Sequence, residues 1–405
     1  MDILADLKRE LPLLASWRHD FHAHPEIGFQ ETRTAAKVAE LLSSWGIGIR
    51  TGIGGTGVIG TLRGRRTGAD AIGFRADMDA LPMVERAGVP YRSTRPDAFH
   101  GCGHDGHTAT LLGAAKYLSE HPDFTGTVHF IFQPAEETLR GSPAMIADGL
   151  FTYAPVREIY GLHNNPSLTP GKIGIREGAI LSGCDPLRIA VHGIGAHGAQ
   201  PHHGIDPIVI ASELVGLLQT VVSRSLNAMD CGVVTIGTIH GGTAPNVIPD
   251  RVVLEGTIRS MSTDGRALML RRVREICNGI ANSFGVNIIC EIGPGCPPTI
   301  NHAAQSAAVE RAARRIVGPE NLVSNVTPLM ASEDFAFMLQ ERPGAYFFVG
   351  QAGQNCHHPE YVFDDEIMPI GAAMFVQLAY DRLNKSEPKQ TENRGKQWER
   401  EAAPD

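Results

Sequence analysis

The sequence predicts an α/β protein in which a mixed central sheet flanked by helices is interrupted by a smaller inserted domain. Two observations support this fold class. Short apolar strands alternate with helical segments near the start of the chain and again after residue 298. Between them the order changes to β-α-β-β-α-β, which is typical of the ferredoxin-like module. We therefore expect a discontinuous domain of residues 1–185 and 295–385 around an inserted domain of residues 186–294.

The first part of the chain shows the alternation of helix and strand directly. The expected elements are helices at 2–18, 32–45 and 108–120 and strands at 58–63, 71–75 and 127–133. Asp77 and the pair Glu136 and Glu137 follow apolar strands. Open α/β sheets place their sites just beyond the carboxyl ends of strands, so these carboxylates are candidates for chemistry.

The inserted domain is predicted from its change of pattern near residue 186. Its expected elements are strands at 187–193, 231–242, 247–261 and 286–292 and helices at 206–224 and 264–284. The stretch 293–298 is rich in Gly and Pro, which suggests a hinge. The α/β pattern then resumes with elements at 303–317, 332–340, 346–349 and 366–384. The charge-dense segment 386–405 is expected to be a frayed tail.

Composition restricts the kinds of partner. The 405 residues carry a formal charge of -8, from 36 basic and 44 acidic side chains, which argues against nucleic acid or an anionic membrane as the main partner. No apolar run approaches the roughly 20 residues of a membrane helix, and the first 18 residues lack the pattern of a signal peptide. Seven scattered cysteines suggest reduced thiols, so we expect a cytoplasmic protein. Cys356, beside a histidine, is given no role.

Two segments combine residues that bind metals and activate water. Residues 99–107 contain a thiol and several imidazoles in a Gly-rich stretch, and residues 133–137 end in two adjacent carboxylates. Thiolate, imidazole and carboxylate are metal ligands, and a second carboxylate could serve as a base. The candidate ligands are Cys102, His104, Glu137, His163 and one of His357 and His358. Each alone is more often a packed or hydrogen-bonded side chain, and only the set suggests a site.

Eight motifs lie over nearly the whole chain outside the tail. They are HAHPE at 22–26, RADMDALP at 75–82, CGHDGH at 102–107, QPAEE at 133–137, HGAQPH at 197–202, NVIP at 246–249, SEDF at 332–335 and HHP at 357–359. By these motifs and their order, the chain resembles the aminoacylase/carboxypeptidase family of dinuclear metallohydrolases. More narrowly, it is similar to the hippurate hydrolase and N-acyl-amino-acid amidohydrolase branch of that family.

The resemblance implies a zinc-peptidase-like catalytic domain that binds two divalent metal ions per subunit. The implied metal ligands are Cys102, His104, Glu137, His163 and His357, with Cys102 shared by both ions and His357 preferred to His358. A water held between the ions would be activated by Glu136 and would attack an amide bond. One thiolate with imidazoles and carboxylates suits Zn, Mn, Co or Ni.

The resemblance also implies roles outside the ligand set. Asp77 would orient a ligand imidazole, and His197 would stabilise the oxyanion in the site of a neighbouring subunit. Asn246 and Arg259 would hold the substrate carboxylate, for which a guanidinium is well shaped. The inserted domain would then act as a lid and as the contact of a homodimer or higher homo-oligomer.

The expected reaction is hydrolysis of the amide bond of small N-acyl or N-aroyl amino acids. A dipeptidase or carboxypeptidase on the same scaffold is the alternative, because sequence does not show the acyl-side pocket. Two other classes are weighed against these enzymes. A non-catalytic binding protein predicts damage at Glu136 or at a ligand, which the sequence lacks. An acyl transferase with Cys102 as nucleophile should survive metal removal, whereas a dinuclear hydrolase should not.

Overall fold

A computed structural model describes residues 2–384 of the chain as a large mixed sheet and a smaller antiparallel sheet, both covered by helices. The expected tail at 386–405 lies outside the described residues. The helices are α1 Ile3–Arg9, α2 Leu11–Ala23, α3 Thr32–Ser44, α4 His104–Glu120, α5 Gly141–Ala147, α6 Leu150–Tyr153, α7 Pro207–Thr220, α8 Thr263–Phe284, α9 Ala303–Ile316, α10 Phe335–Glu341 and α11 Met368–Leu383.

The strands number sixteen in the described residues. They are β1 Gly48–Ile53, β2 Gly57–Arg63, β3 Arg66–Asp77, β4 Thr125–Gln133, β5 Glu158–Asn165, β6 Ile173–Ile175, β7 Gly178–Leu181, β8 Gly183–His192, β9 Ala196–His197, β10 Gly232–Gly241, β11 Val247–Ile248, β12 Arg251–Ser260, β13 Asn287–Ile292, β14 Thr299–Asn301, β15 Leu322–Ser324 and β16 Gly344–Gly350. Most of the expected elements are present, but β1, β5, β6, β7, β9, β14 and β15 were not predicted.

The large sheet has eight strands in the order β1-β2-β4-β3-β5-β16-β6-β15. Its central strands β4, β3, β5 and β16 run parallel to one another, so their carboxyl ends share one edge. Helices α2, α4 and α11 pack on one face through a large apolar cluster, and α5 and α10 contribute to a second cluster on the other face. The predicted mixed sheet with flanking helices is confirmed, and the chain segments that follow these strands meet at one place.

The smaller sheet has the order β10-β12-β8-β13, with all neighbours antiparallel. Helices α7 and α8 share an apolar core with it. In chain order this is β-α-β-β-α-β, and the first and third strands lie at the centre, so the predicted ferredoxin-like module is confirmed. The predicted limits of the two domains stay a prediction.

Three expected elements have different limits for clear physical reasons. The helix expected at 2–18 divides near Glu10, because Pro12 favours the first turn of a new helix. The strand expected at 247–261 is divided by Pro249, which cannot donate a ladder hydrogen bond, into β11 and β12. The helix expected from residue 108 begins at His104, after Gly103 with its φ of 93°.

One helical segment contradicts an expectation from the sequence. Pro207–Ser225 spans 19 residues with a mean hydropathy of 1.3, which meets the length and composition expected of a membrane-spanning helix. Ile210 and Leu214 on its inner side are buried in the core of the smaller sheet. Ile208 and Val209 are 47% and 51% exposed. The segment is therefore the core helix of the module with an additional apolar outer face.

We predict that His129 in β4 makes stability depend on pH. Its side chain is 4% exposed, its Nδ1 lies 3.0 Å from Thr61 Oγ1, and burial lowers its pKa to about 4. The unfolded chain, with a histidine pKa of about 6.5, binds a proton first as the pH falls. Folding stability therefore falls between about pH 6.5 and 4, by up to about 1.4 kcal/mol per pH unit.

Thermal unfolding of metal-free wild type and His129→Gln at pH 7 and pH 5 measures this effect. We expect a smaller loss of Tm at pH 5 in the variant, while replacement of the exposed His203 by Gln should leave the wild-type loss unchanged. Equal losses in wild type and His129→Gln would contradict the prediction.

Candidate metal centre

The five predicted ligands converge at the edge where the central parallel strands end. They come from five separate pieces of the fold. Cys102 lies in the loop before α4, His104 is the first residue of α4, Glu137 lies in a short 3-10 turn after β4, His163 lies in β5, and His357 lies in the loop after β16. The sheet therefore brings together residues that are up to 255 positions apart in sequence, from Cys102 to His357.

The ligand atoms form two overlapping groups that share a thiol. Cys102, His104 and His163 have donor atoms that all lie within 4.8 Å of one another, and so do Cys102, Glu137 and His357. Cys102 Sγ lies 3.4 Å from His163 Nε2, and His357 Nε2 lies 3.3 Å from Glu137 Oε1. Two neighbouring positions for a cation, with the Cys102 sulfur between them, follow from this overlap.

One buried polar atom in the cluster supports a metal site. His104 Nε2 has no hydrogen-bond partner within residues 2–384. A buried polar atom without a hydrogen-bond partner lowers the stability of the folded protein, and a metal ion bound to that atom removes the penalty. The donor set of sulfur, imidazole nitrogen and carboxylate oxygen suits divalent transition metals. The residues therefore fit a metal centre.

Asp79 holds three parts of the site together. Its carboxylate accepts hydrogen bonds from the backbone N–H groups of Glu136 and Glu137, each at 3.0 Å. His104 Nδ1 lies 2.9 Å from the Asp79 carbonyl oxygen and 3.3 Å from its carboxylate Oδ1. With Nδ1 engaged in this way, the Nε2 atom of His104 is left to act as a ligand. Sequence reasoning assigned no role to Asp79.

Asp77 makes different contacts from those expected. Its Oδ1 lies 2.6 Å from Nδ1 of His107, and its Oδ2 is 3.9 Å from Nε2 of His104. Its direct imidazole partner is therefore His107, which was not a predicted ligand, and the group that engages the second nitrogen of His104 is Asp79. The expected role of Asp77 as the orienting carboxylate of a ligand stays a prediction. The helical turn between His104 and His107 directs the second histidine toward β3.

Left-handed backbone conformations cluster at the site. Ala135 and Leu139, on either side of the turn that carries Glu136 and Glu137, have φ values of 50° and 56°, and His357 has a φ of 66°. These conformations are uncommon for residues with a side chain and persist where the surroundings enforce them. Such residues concentrate at functional sites, which agrees with the position of these three.

A buried arginine balances the acidic groups behind the site. Arg75 is fully buried and donates hydrogen bonds to Asp77 at 2.7 Å, Glu333 at 2.8 Å and Gln133 at 2.8 Å. Asp334 lies 3.3 Å from the same guanidinium. Glu333 therefore lies in an ion-paired network and also lines the cavity described below.

The adjacent carboxylates Glu136 and Glu137 lie in different electrostatic surroundings. Burial, with the nearby carboxylates of Glu333 and Glu137, raises the pKa of Glu136 well above its ordinary value. Burial alone would also raise the pKa of Glu137, but the imidazoles of His357 and His104 hold it below its ordinary value. Glu137 is thus suited to bind a cation as an anion, whereas Glu136 is suited to exchange a proton.

A cavity of about 590 Å³ opens onto the cluster. It contains Glu136, four of the five predicted ligands and Arg259, which is the one Arg or Lys on its wall among the described residues. Its apolar wall includes Leu181, Leu329 and Phe348. His197 and Asn246 are not among the lining residues of this cavity. They lie together at the β9 and β11 pair, where Gly198 N–H donates to the Asn246 carbonyl oxygen at 2.8 Å.

His357 and His358, which are neighbours in sequence, make different contacts in the structure. His357 lies beside Glu137, whereas His358 is exposed and its Nδ1 accepts a hydrogen bond from the Glu360 N–H at 3.1 Å. The geometry therefore agrees with the preference for His357. The roles of all five ligands stay predictions that this arrangement supports.

Comparisons with known proteins agree with the motifs. The sequence model of peptidase family M20/M25/M40 matches residues 73–381. Hippurate hydrolase of Campylobacter jejuni is 38% identical over 90% of this chain and 95% of its own length. N-acetyl-L-cysteine deacetylase of Bacillus subtilis is 38% identical over 92% of this chain and 88% of its own length. The solved structure of the Bacillus subtilis YXEP protein, described as a dinuclear metal binding peptidase, has a TM-score of 0.81 and 33% identity, and covers 93% of this chain and 99% of that chain.

We predict that Asp79→Asn weakens metal binding. An amide presents one oxygen and one N–H₂ group, so it cannot accept from both backbone N–H groups and would misplace the turn of Glu136 and Glu137. Loss of such an outer partner typically lowers metal affinity by roughly 10- to 100-fold. Titration of the metal-free protein with Mn²⁺ or Zn²⁺ measures the change.

The same change at an exposed carboxylate is the control. Asp97 has a side chain that is 70% exposed, and Asp97→Asn should bind metal as the wild type does. Wild-type affinity in Asp79→Asn would show that its hydrogen bonds do not support the site.

Proposed function

The chain belongs to peptidase family M20/M25/M40 and is a metal-dependent amidohydrolase, and from this premise we propose that it hydrolyses the amide bond of N-acyl or N-aroyl amino acids. One observation carries the proposal. Three features meet at a single cavity. They are the pair of donor groups that both contain Cys102, the carboxylate of Glu136, and the guanidinium of Arg259. The cavity thus combines a place for cations, a proton acceptor and a partner for a substrate carboxylate.

We propose that two divalent cations bind per subunit, held by Cys102, His104, Glu137, His163 and His357. When bound, they would polarise the scissile carbonyl group and make a water molecule more acidic. The donor set is compatible with Zn, Mn, Co or Ni. Asp79 would keep His104 and Glu137 in position for this binding through the contacts described above.

Glu136 is the proposed proton carrier. Its carboxylate lies within 4.8 Å of the donor atoms of His104 and Glu137, yet it belongs to neither donor group that contains Cys102. It can therefore take the proton of the attacking water and pass it to the leaving nitrogen. Its buried position supports both steps, since a carboxyl group with a raised pKa holds a proton long enough to deliver it.

Arg259 is the proposed partner of the substrate carboxylate. Its Nη1 donates a 2.6 Å hydrogen bond to the Met330 carbonyl oxygen, which anchors the side chain on the wall of the cavity. The acyl group would face the apolar wall of Leu181, Leu329 and Phe348. A relative of this chain is called hippurate hydrolase and another N-acetyl-L-cysteine deacetylase, and their names support substrates with an acyl group on one side and an amino acid on the other.

A second copy of the chain is proposed to complete the site. The Ala199 N–H donates to Nδ1 of His197 at 3.0 Å. In a neutral imidazole the proton then lies on Nε2, which is free to donate to an oxyanion. His197 is exposed and lies apart from the cavity of its own chain. The exposed apolar side chains Ile208 and Val209 on α7 support a homodimer or higher homo-oligomer through the smaller module.

A substrate panel on metal-loaded enzyme tests the proposed function. Hippurate, N-acetyl amino acids and dipeptides are compared by kcat/KM, together with hippuramide, which lacks the carboxylate. We expect hydrolysis of N-acyl or N-aroyl amino acids, with hippuramide much poorer than hippurate because Arg259 has no partner. A preference for dipeptides would instead support the alternative of a dipeptidase or carboxypeptidase, and no hydrolysis of any amide would reject both.

We predict different effects when Glu136 and Glu137 are each replaced by Gln. Glu136→Gln should keep the metal content and lower kcat by roughly 10²- to 10⁴-fold, since the proton carrier is lost. Glu137→Gln should lower the metal content itself, since a ligand is lost. Elemental analysis and kcat are measured on both variants. A Glu136→Gln enzyme with nearly wild-type kcat would remove that residue from its role.

Mixed dimers test whether His197 acts in the neighbouring subunit. His197→Ala and Glu136→Gln should each be inactive as homodimers. In a purified heterodimer of the two variants, one site would combine an intact Glu136 with an intact His197 from the other chain. We expect roughly half of the wild-type rate, because one site of two is complete. An inactive heterodimer that is folded and metal-loaded would contradict a shared site.

A further inference from the structure

Cys356 is a second thiol at the metal centre to which no function has been assigned. The His357 N–H donates a 2.7 Å hydrogen bond to the Gly101 carbonyl oxygen, which holds the two loops side by side. Cys102 and Cys356 flank this bond. Cys356 Sγ lies 3.7 Å from the Cys102 carbonyl oxygen, to which its thiol donates.

The position of Cys356 separates it from the ligands. It lines the same cavity as Cys102, and its sulfur accepts a 3.5 Å hydrogen bond from Nδ2 of Asn164. It belongs to no group of donor atoms that could hold a cation among residues 2–384. A thiol that is fixed beside a ligand thiol, reachable from the cavity and not itself a ligand is available for reaction with its neighbour.

We propose that Cys102 and Cys356 form a reversible disulfide when the metal centre is empty and a peroxide is present. The inference rests on the proposed function in that Cys102 is taken as the ligand shared by both cations. Bound cations engage the Cys102 sulfur and protect it. The disulfide in turn removes the shared ligand, so that metal binding and oxidation exclude each other.

The chemistry requires a peroxide as the oxidant and no other reactant. One thiol of the pair attacks a peroxide oxygen, the O–O bond breaks, and a sulfenic acid and one water form from hydrogen peroxide. The second thiol attacks the sulfenic sulfur, the S–O bond breaks, and the disulfide and a second water form. The two sulfurs together lose two electrons, and the peroxide gains them. A dithiol reductant reverses the result.

The loop geometry suits a disulfide. Cysteines can be bridged when their Cα atoms lie within about 7 Å and their side chains point toward each other. A backbone hydrogen bond joins the residues next to the two cysteines, and Cys356 Sγ reaches the Cys102 carbonyl oxygen at 3.7 Å. The two residues therefore lie side by side on the wall of the cavity that both line. Without a neighbouring thiol, a sulfenic acid at Cys102 would instead react with a second peroxide, which transfers one oxygen and leaves as water, to give the irreversible sulfinic acid.

The test oxidises the full chain in metal-free and metal-loaded form with an excess of hydrogen peroxide, more than the two molecules that conversion of one thiol to a sulfinic acid consumes. Tryptic peptides are mapped by mass spectrometry, which separates the two cysteines because Arg and Lys residues lie between them. Metal content is measured before oxidation, after it, and after reduction with dithiothreitol and reloading. Cys356→Ser is the test variant. Cys184→Ser is the control, because Cys184 lines the same cavity and its backbone pairs with Cys296 and not with either cysteine of the proposed link.

We expect a Cys102–Cys356 link in metal-free wild type and in Cys184→Ser, at least tenfold less of it in metal-loaded protein, and full metal binding after reduction. Oxidised Cys356→Ser should carry sulfinic acid at Cys102 and should not recover metal binding. Either of two results would overturn the proposal. One is wild-type protein in which Cys102 is oxidised but not linked to Cys356, and the other is a Cys356→Ser variant that recovers metal binding after reduction as fully as wild type does. Failure of untreated wild type to bind metal would count against the proposed function. The presence or absence of the Cys102–Cys356 disulfide in oxidised metal-free protein would still test this inference separately.

Discussion

The site depends most on the carboxylate of Asp79. This group lies just past the end of β3 and accepts hydrogen bonds from the backbone of the turn that follows β4, while the same residue engages Nδ1 of His104 at the start of α4. Strand pairing brings the three segments near one another, but it does not fix the direction of side chains in the loops beyond the strands. Asp79 supplies that constraint, because one buried carboxylate joins all three segments.

The division of labour between Glu136 and Glu137 follows from their surroundings. Both side chains sit on one short turn, whose flanking residues adopt left-handed conformations. Glu137 faces the imidazoles of His104 and His357, whereas Glu136 faces the carboxylates of Glu333 and Asp334. Two identical side chains thus acquire different proton affinities from their neighbours, which is how one site can hold a ligand and a proton carrier side by side.

Much of the fold and of the ligand set could be predicted from the sequence. The alternation of strands and helices predicted the mixed sheet, the β-α-β-β-α-β order predicted the smaller module, and the motifs predicted the family and five candidate ligands, whose side chains the structure brings together. The role of Asp79 could not be predicted, because its partners lie in the turn after β4 and at the start of α4, which only the packing of the fold brings close. The start of α4 at His104 depends on the left-handed Gly103, where a Cβ would lie 2.5 Å from the Tyr361 hydroxyl oxygen. The role expected of His197 in a neighbouring subunit came from the resemblance alone and stays a prediction.

The central claim is that one thiolate lies between two cations. The most direct measurement is anomalous X-ray diffraction from crystals of the manganese- or zinc-loaded protein, collected at the absorption edge of the metal. The account predicts two anomalous peaks per chain, about 3.5–4 Å apart, with the sulfur of Cys102 within bonding distance of both. A single peak, or peaks that contact neither Cys102 nor His104, would contradict it.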